Sequence, residues 1–420
     1  MFSLLRSCAI ALLMLPWLGA AAAESTLTLA EAERLALLHD VSAPEMQAQG
    51  RALREQAVAD AQLPDPSLSL GVMSLPVDSF NRTAEPMTQT TVGVTQAIPA
   101  GDSLKYQAER STNLAMANDA EAEARRRAVL RDVRSAYLEL QYQSGALAVI
   151  ADSQRVFSEL VDITKSLYRV GRSNLQDVLS AQLERSLLDD RERRQQVEYA
   201  ATRADLVRLT GALPLNVSPP LELPNLHEPP TLDVLREALM AHPMLDASNA
   251  RVAAGQSAVQ AAREQYKPGW MVNLTYGERG GHEPDGDPRS DMLSAMVTFD
   301  LPIFTGKRQD KRVAASVEET DALRYARDAT HYDLQRSLDA EYPRWQQLRA
   351  REQGYADDIL PAARNNAEAA LSAYSNGVTD FNALLRANLT VLDSRLQALR
   401  TRVDRLQTQT RLLYLAGEEQ

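Results

Sequence analysis

The chain has 420 residues and a formal net charge of −11, with 24% charged residues, 5% aromatics and 18 glycines. So few aromatics exclude a large single-chain β-barrel, whose wall needs aromatic girdles. A mean hydropathy of −0.32 excludes a bundle of membrane helices, and the acidity excludes a nucleic-acid binder, so no nucleic acid is expected as a partner.

The N-terminus reads as a secretory signal peptide over residues 1–23. Arg6 precedes an apolar run from Cys8 to Leu18, and small residues 19–23 follow. The run falls short of the ~20 residues of a spanning helix, and Pro16 interrupts it. Cleavage near Ala23 removes the one cysteine, which leaves no disulfide or thiolate site, and makes the mature chain one unit more acidic.

The rest is an internal repeat. Thr28-Leu29 through His39 matches Thr231-Leu232 through His242, and Ile98-Pro99 matches Leu301-Pro302, both at an offset of 203. Tyr168-Arg169-Val170-Gly171 matches Tyr374-Ser375-Asn376-Gly377 at 206, and Leu209-Thr210-Gly211 matches Leu415-Ala416-Gly417. The spacing predicts a first structural repeat over 24–211, a stiff Pro-rich linker over 212–230, a second repeat over 231–417 and a tail at 418–420.

Within each repeat the order is helix, strand, strand, long helix, turn, helix. A helix of about 35 residues is expected over 28–62 and again over 231–266. Period-two patterning predicts strands at 67–75, 90–98, 270–277 and 292–300, joined by polar loops. No proline falls between Pro99 and Pro214, so residues 102–168 can form one rod of about 100 Å. It turns near Gly171 and returns. The second rod, 307–375, should kink at Pro343 and Pro361, turn near Gly377 and return to about 415. Leu389, Leu392, Leu396, Leu399, Val403, Leu406, Thr410 and Leu413 step by threes and fours, as do Val133, Tyr137, Leu140, Ser144 and Leu147. That is the seam of a coiled coil. The fold class is mainly α with a small β part.

Four strands of this length can cross a bilayer but cannot close a barrel, and lipid tolerates no open sheet edge. Several copies must therefore share one barrel, with their rods forming a common helical tunnel. The acidity of several copies predicts an electronegative lumen that favours cations.

The duplicated order and the segment Tyr168-Arg169-Val170-Gly171, followed by Asp177-Val178-Leu179 and Ala181, resemble the TolC family of outer-membrane efflux ducts. The second tip keeps Tyr374, Gly377 and Leu384 but carries Ala383 where the first has Asp177. Leu63-Pro64-Asp65-Pro66 and Thr95 through Gly101 are similar to the branch paired with heavy-metal exporters, although Ala100-Gly101-Asp102 replaces that branch's Pro-Gly-Lys. The resemblance implies a homotrimer with a twelve-stranded barrel in outer-membrane lipid, a periplasmic tunnel, and docking to an adaptor protein and an inner-membrane pump. The expected role is passive export of metal cations or small toxic compounds. A protein-secretion duct and a soluble periplasmic coiled-coil scaffold are the alternatives.

No catalytic motif appears among the five scattered histidines, so no enzyme and no cofactor is expected. His282, Glu283, Asp285 and Asp287 invite a metal reading, as Met73 and Met87 do for soft cations, but a hydrated outer loop and ordinary packing are preferred, and no metal site is assigned. The functional candidates lie at the hairpin tips: Tyr168, Gly171, Arg172, Asp177, Tyr374, Gly377, Asp380 and Arg386, as a periplasmic gate and adaptor contact, with the two glycines serving the turns.

Overall fold

A computed structural model describes residues 27–211 and 219–417. The expected signal peptide, the start of the linker and the tail at 418–420 lie outside the described residues. Each half opens with two short helices where one long helix is expected. These are α1 (Leu29–His39) and α2 (Ser42–Asp60) in the first half, and α5 (Leu232–Leu239) and α6 (Pro243–Glu264) in the second. Asp40 leaves helical geometry and accepts a hydrogen bond from Ala43 N at 2.9 Å. In the second half His242 does so, and Pro243 starts the next helix where its missing N–H costs nothing. An apolar period of 3.6 runs across such a break, because the two helices still face the same core.

The strands are β1 (Ser67–Met73), β2 (Gln89–Ile98), β3 (Trp270–Glu278) and β4 (Met292–Phe299), in one antiparallel sheet of order β1-β2-β3-β4. The register sorts the side chains by face. Leu68 pairs with Val94, Val94 with Leu274 and Leu274 with Ala295; Leu70 pairs with Val92, Val92 with Tyr276 and Tyr276 with Leu293. These rungs form an apolar face. The intervening rungs set Ser69, Gly93, Thr275 and Ser294 side by side. On this polar face Asn273 Nδ2 donates to Thr95 Oγ1 at 2.7 Å. Every residue of β1 and β4 is exposed, including Leu70 at 73%, and both strands are edges. Among the described residues no helix is long and apolar enough to cross a membrane.

The rods follow. α3 (Ser103–Arg169) runs unbroken for 67 residues and α4 (Leu175–Thr210) returns along it. α7 (Gln309–Gly354) continues through Pro343 to a π-helical turn at Tyr355–Ile359, then α8 (Leu360–Ser375) and the returning α9 (Phe381–Ala416). The expected kink at Pro361 takes the form of that wide turn. Pro361 sits in the first turn of α8, and Leu360 N bonds back to Tyr355 O.

The seam on α9 is real: Leu392, Val403, Leu406 and Leu413 are buried, with Leu389 and Leu399 half-buried. Toward the tips it packs with Ile150, Phe157 and Leu160 of α3. Further along, Leu138 of α3 meets Val403 and Leu406. Polar contacts fix the register, since Arg400 of α9 donates to both oxygens of Glu139 at 2.9 and 2.8 Å. The described part of the linker lies extended on this body. Gln141 Nε2 donates to the carbonyls of Pro220 and Glu222, and Gln409 Nε2 to those of Leu226 and His227.

Candidate functional site at the hairpin tips

Both tips use the same backbone device. Gly171 N donates to Tyr168 O and Arg172 N to Leu167 O; in the second hairpin Gly377 N donates to Tyr374 O and Val378 N to Ala373 O. This double bond pattern ends a helix with one residue in the left-handed region. Gly171 (φ 73°) and Gly377 (φ 71°) hold that place, where a Cβ is strained. Each returning helix is then capped three residues later. Asn174 Oδ1 accepts from Asp177 N at 2.8 Å, and Asp380 Oδ1 accepts from Ala383 N at 2.9 Å. Asp380 is therefore the structural counterpart of Asn174, and its carboxylate starts α9.

The two tips of one chain meet. Tyr374 is buried, its ring edge-on to Phe381 with centroids 5.6 Å apart. Its hydroxyl donates to Asp177 Oδ2 at 3.1 Å and lies 3.2 Å from Ser173 Oγ, which itself donates to Asp177 Oδ2 at 2.8 Å. Burial raises the Tyr374 hydroxyl above its ordinary pKa, the Ser173 hydrogen bond opposes this and the Asp177 charge adds to it. Arg172 Nη2 crosses to the main-chain oxygen of Ser375 at 3.0 Å, so its partner is a carbonyl rather than a carboxylate.

Of the eight candidates, Tyr374, Asp177 and Arg172 are thus joined in one contact between hairpins. Tyr168 stays 47% exposed. Arg386 is exposed and reaches only Asn382 O of its own helix, at 3.4 Å. Ser173 and Phe381 complete the contact and were not singled out from the sequence. Ser173 precedes Asp177 by four residues and Phe381 follows the second cap, the only local signals either carries. In the outer loop, Glu283 N bonds Asp287 O and Asp287 N bonds Asp285 Oδ1. Among the described residues no three acidic or imidazole side chains gather as for a metal.

Residues 32–213 and 234–418 match the model of the outer membrane efflux protein family. The chain belongs to the outer membrane efflux protein family. No curated protein sequence matches it. Among solved structures it is similar to CusC, at 14% identity and a TM-score of 0.78 over 92% of this chain and 91% of that one. VceC of Vibrio cholerae shares 18% identity with a TM-score of 0.77, covering 93% and 96%. The open-state MtrE channel of Neisseria gonorrhoeae shares 16% with a TM-score of 0.73, covering 93% and 88%. These likenesses carry the fold, that of a TolC-type channel. As an outer membrane efflux protein the chain acts in export, and its place is the outer membrane with the helices reaching into the periplasm.

Proposed function

We propose that three copies of this chain assemble into a passive exit duct, each giving four strands to a shared barrel and its rods to a common tunnel. The carrying observation is the register, which sorts the sheet into one apolar and one polar face while leaving β1 and β4 open. An apolar face suits lipid and a polar face suits a water-filled lumen. Open edges are not tolerated in hydrocarbon, so β4 of one copy completes the ladder with β1 of the next. A soluble scaffold gives no reason for this sorting.

In this reading the tips face the periplasm and dock an adaptor that links the duct to an inner-membrane pump. The contact from Tyr374 and Ser173 to Asp177, with Arg172 on Ser375, ties the two hairpins of a copy together and serves as part of the gate. The cargo is small toxic compounds, metal cations among them. Detergent-purified protein placed in planar bilayers tests the proposal. Defined single-channel steps from a particle of three chains are expected, and a monomer without conductance overturns it.

A further inference from the structure

The end of the sheet nearest the rods is apolar on one side. Ile98, Trp270 and Phe299 form one rung of the apolar face, with the Trp270 and Phe299 rings 5.7 Å apart. Asp300 N bonds Gly269 O, so the ladder runs one rung past β4 and the alternation passes on to Leu301. Ile303 and Phe304 follow before α7 begins, 70% and 87% exposed. At the repeat offset of 203, Ala100 and Gly101 hold their places in the first half. The passage from sheet to rod therefore works without large apolar side chains, and the fold gives no reason for two of them in the open.

The same stretch is basic. Between residues 300 and 312, Lys307, Arg308, Lys311 and Arg312 outnumber the acids Asp300 and Asp310, and all four cations are exposed. Asp310 accepts from the Tyr266 hydroxyl at 2.6 Å, and Arg312 donates to Gln265 Oε1 at 2.8 Å. Among the described residues, Lys307, Arg308 and Lys311 have no acid within salt-bridge distance. One cavity of about 520 Å³ brings the two kinds of group together: Ile98, Trp270 and Leu301 line it, as do Arg308 and Arg312, with Asp300 its one acid. At the far end of the sheet the sign reverses, and the loop over 279–291 carries Glu283, Asp285, Asp287 and Asp291.

We infer that this rim docks anionic phospholipid of the periplasmic leaflet. Leu301, Ile303 and Phe304 enter the acyl region beside the barrel wall, and Lys307, Arg308 and Lys311 meet the phosphate groups. The inference rests on the barrel reading above. Apolar side chains next to cations fit the boundary between hydrocarbon and headgroups, where aromatic rings anchor and each basic residue gains from a negative surface. A neighbouring copy fits less well. It would bring β1 beside β4, and residues 61–66, which lead into β1, offer these cations a single acid, Asp65.

Native mass spectrometry of the intact detergent-purified assembly, titrated with dioleoylphosphatidylglycerol or with zwitterionic dioleoylphosphatidylcholine, tests this. Phosphatidylglycerol is expected to bind about tenfold more tightly or better, and about 0.5 M ammonium acetate should abolish the preference. Lys307→Gln, Arg308→Gln and Lys311→Gln should each weaken phosphatidylglycerol about fivefold, the worth of one basic residue at a charged surface, and leave phosphatidylcholine as it was. Ile303→Ser with Phe304→Ser should weaken both lipids. Arg82→Gln, at the far end of the sheet, should change neither. Conductance in bilayers of phosphatidylcholine alone is the independent check, and every variant should form native pores there. Native pores with equal affinity for the two lipids, or an equal loss in Arg82→Gln, overturn the inference and leave the barrel standing. So does a double serine variant that keeps its lipids and falls apart into single chains, because the apolar pair then belongs to the contact between copies. An assembly that forms no pore overturns both readings.

Discussion

Tyr374 and Asp177 lie 197 positions apart and share one hydrogen bond of 3.1 Å between the two hairpins of a chain. The tyrosine ring is buried against Phe381 while its hydroxyl meets a carboxylate, so packing and charge act through one side chain. If this contact helps hold the tip closed, Tyr374→Phe keeps the packing and loses the latch.

The expected result for Tyr374→Phe is a rise in single-channel conductance and a stability loss of about 1.5–3 kcal/mol, the worth of a hydrogen bond to a charged group. Asp177→Asn should act in the same direction. Bilayer recordings beside thermal melts check both. Conductance equal to the native value in both variants would remove these residues from the gate.

Acid should weaken the protein through His242. This residue caps α6, with Nδ1 accepting from Met244 N at 3.3 Å, and its Nε2 has no partner. Burial, with Arg127 and Arg131 nearby, pushes its pKa from 6.5 down to about 4. The unfolded chain therefore takes up a proton below about pH 6.5 that the folded chain refuses until about pH 4. Stability is full above pH 6.5 and falls by about 3 kcal/mol on acidification to pH 4. Melting temperatures across that window should show the slope, and His242→Asn, which keeps a capping oxygen, should flatten it. An equal slope in the variant would assign the acid sensitivity elsewhere.

The linker should come loose without its two glutamines. Gln141 and Gln409 are buried and each donates to two linker carbonyls. Replacing either with alanine should cost about 1–2 kcal/mol. It should also expose residues 219–230 to limited proteolysis, whose cleavage rate is the measurement. Native resistance in the double variant would show that Leu223, buried beside Leu138, holds the segment unaided.

The two faces of the sheet should respond oppositely to charge. Leu274→Arg puts a cation on the apolar face, at a cost of about 2–4 kcal/mol at the middle of a bilayer, whereas Ser294→Arg lies on the polar face and should be tolerated. The yield of assembled protein in outer-membrane fractions reports the difference. Equal yields would mean the apolar face does not meet lipid.

By itself the sequence determined the kinds of element and their order. Period two in 270–277 and the step of three and four from Leu389 to Leu413 are local, because each side chain's face follows from its own backbone geometry. The turns at Gly171 and Gly377 were legible for the same reason. The tertiary structure alone decided what joins distant elements. It split the first helix of each half at Asp40 and at His242, set Tyr374 against Asp177 and Ser173, and laid the linker on Gln141 and Gln409. Such polar pairings span from tens to hundreds of residues and depend on how the rods stack, so no short stretch of chain carries their signature.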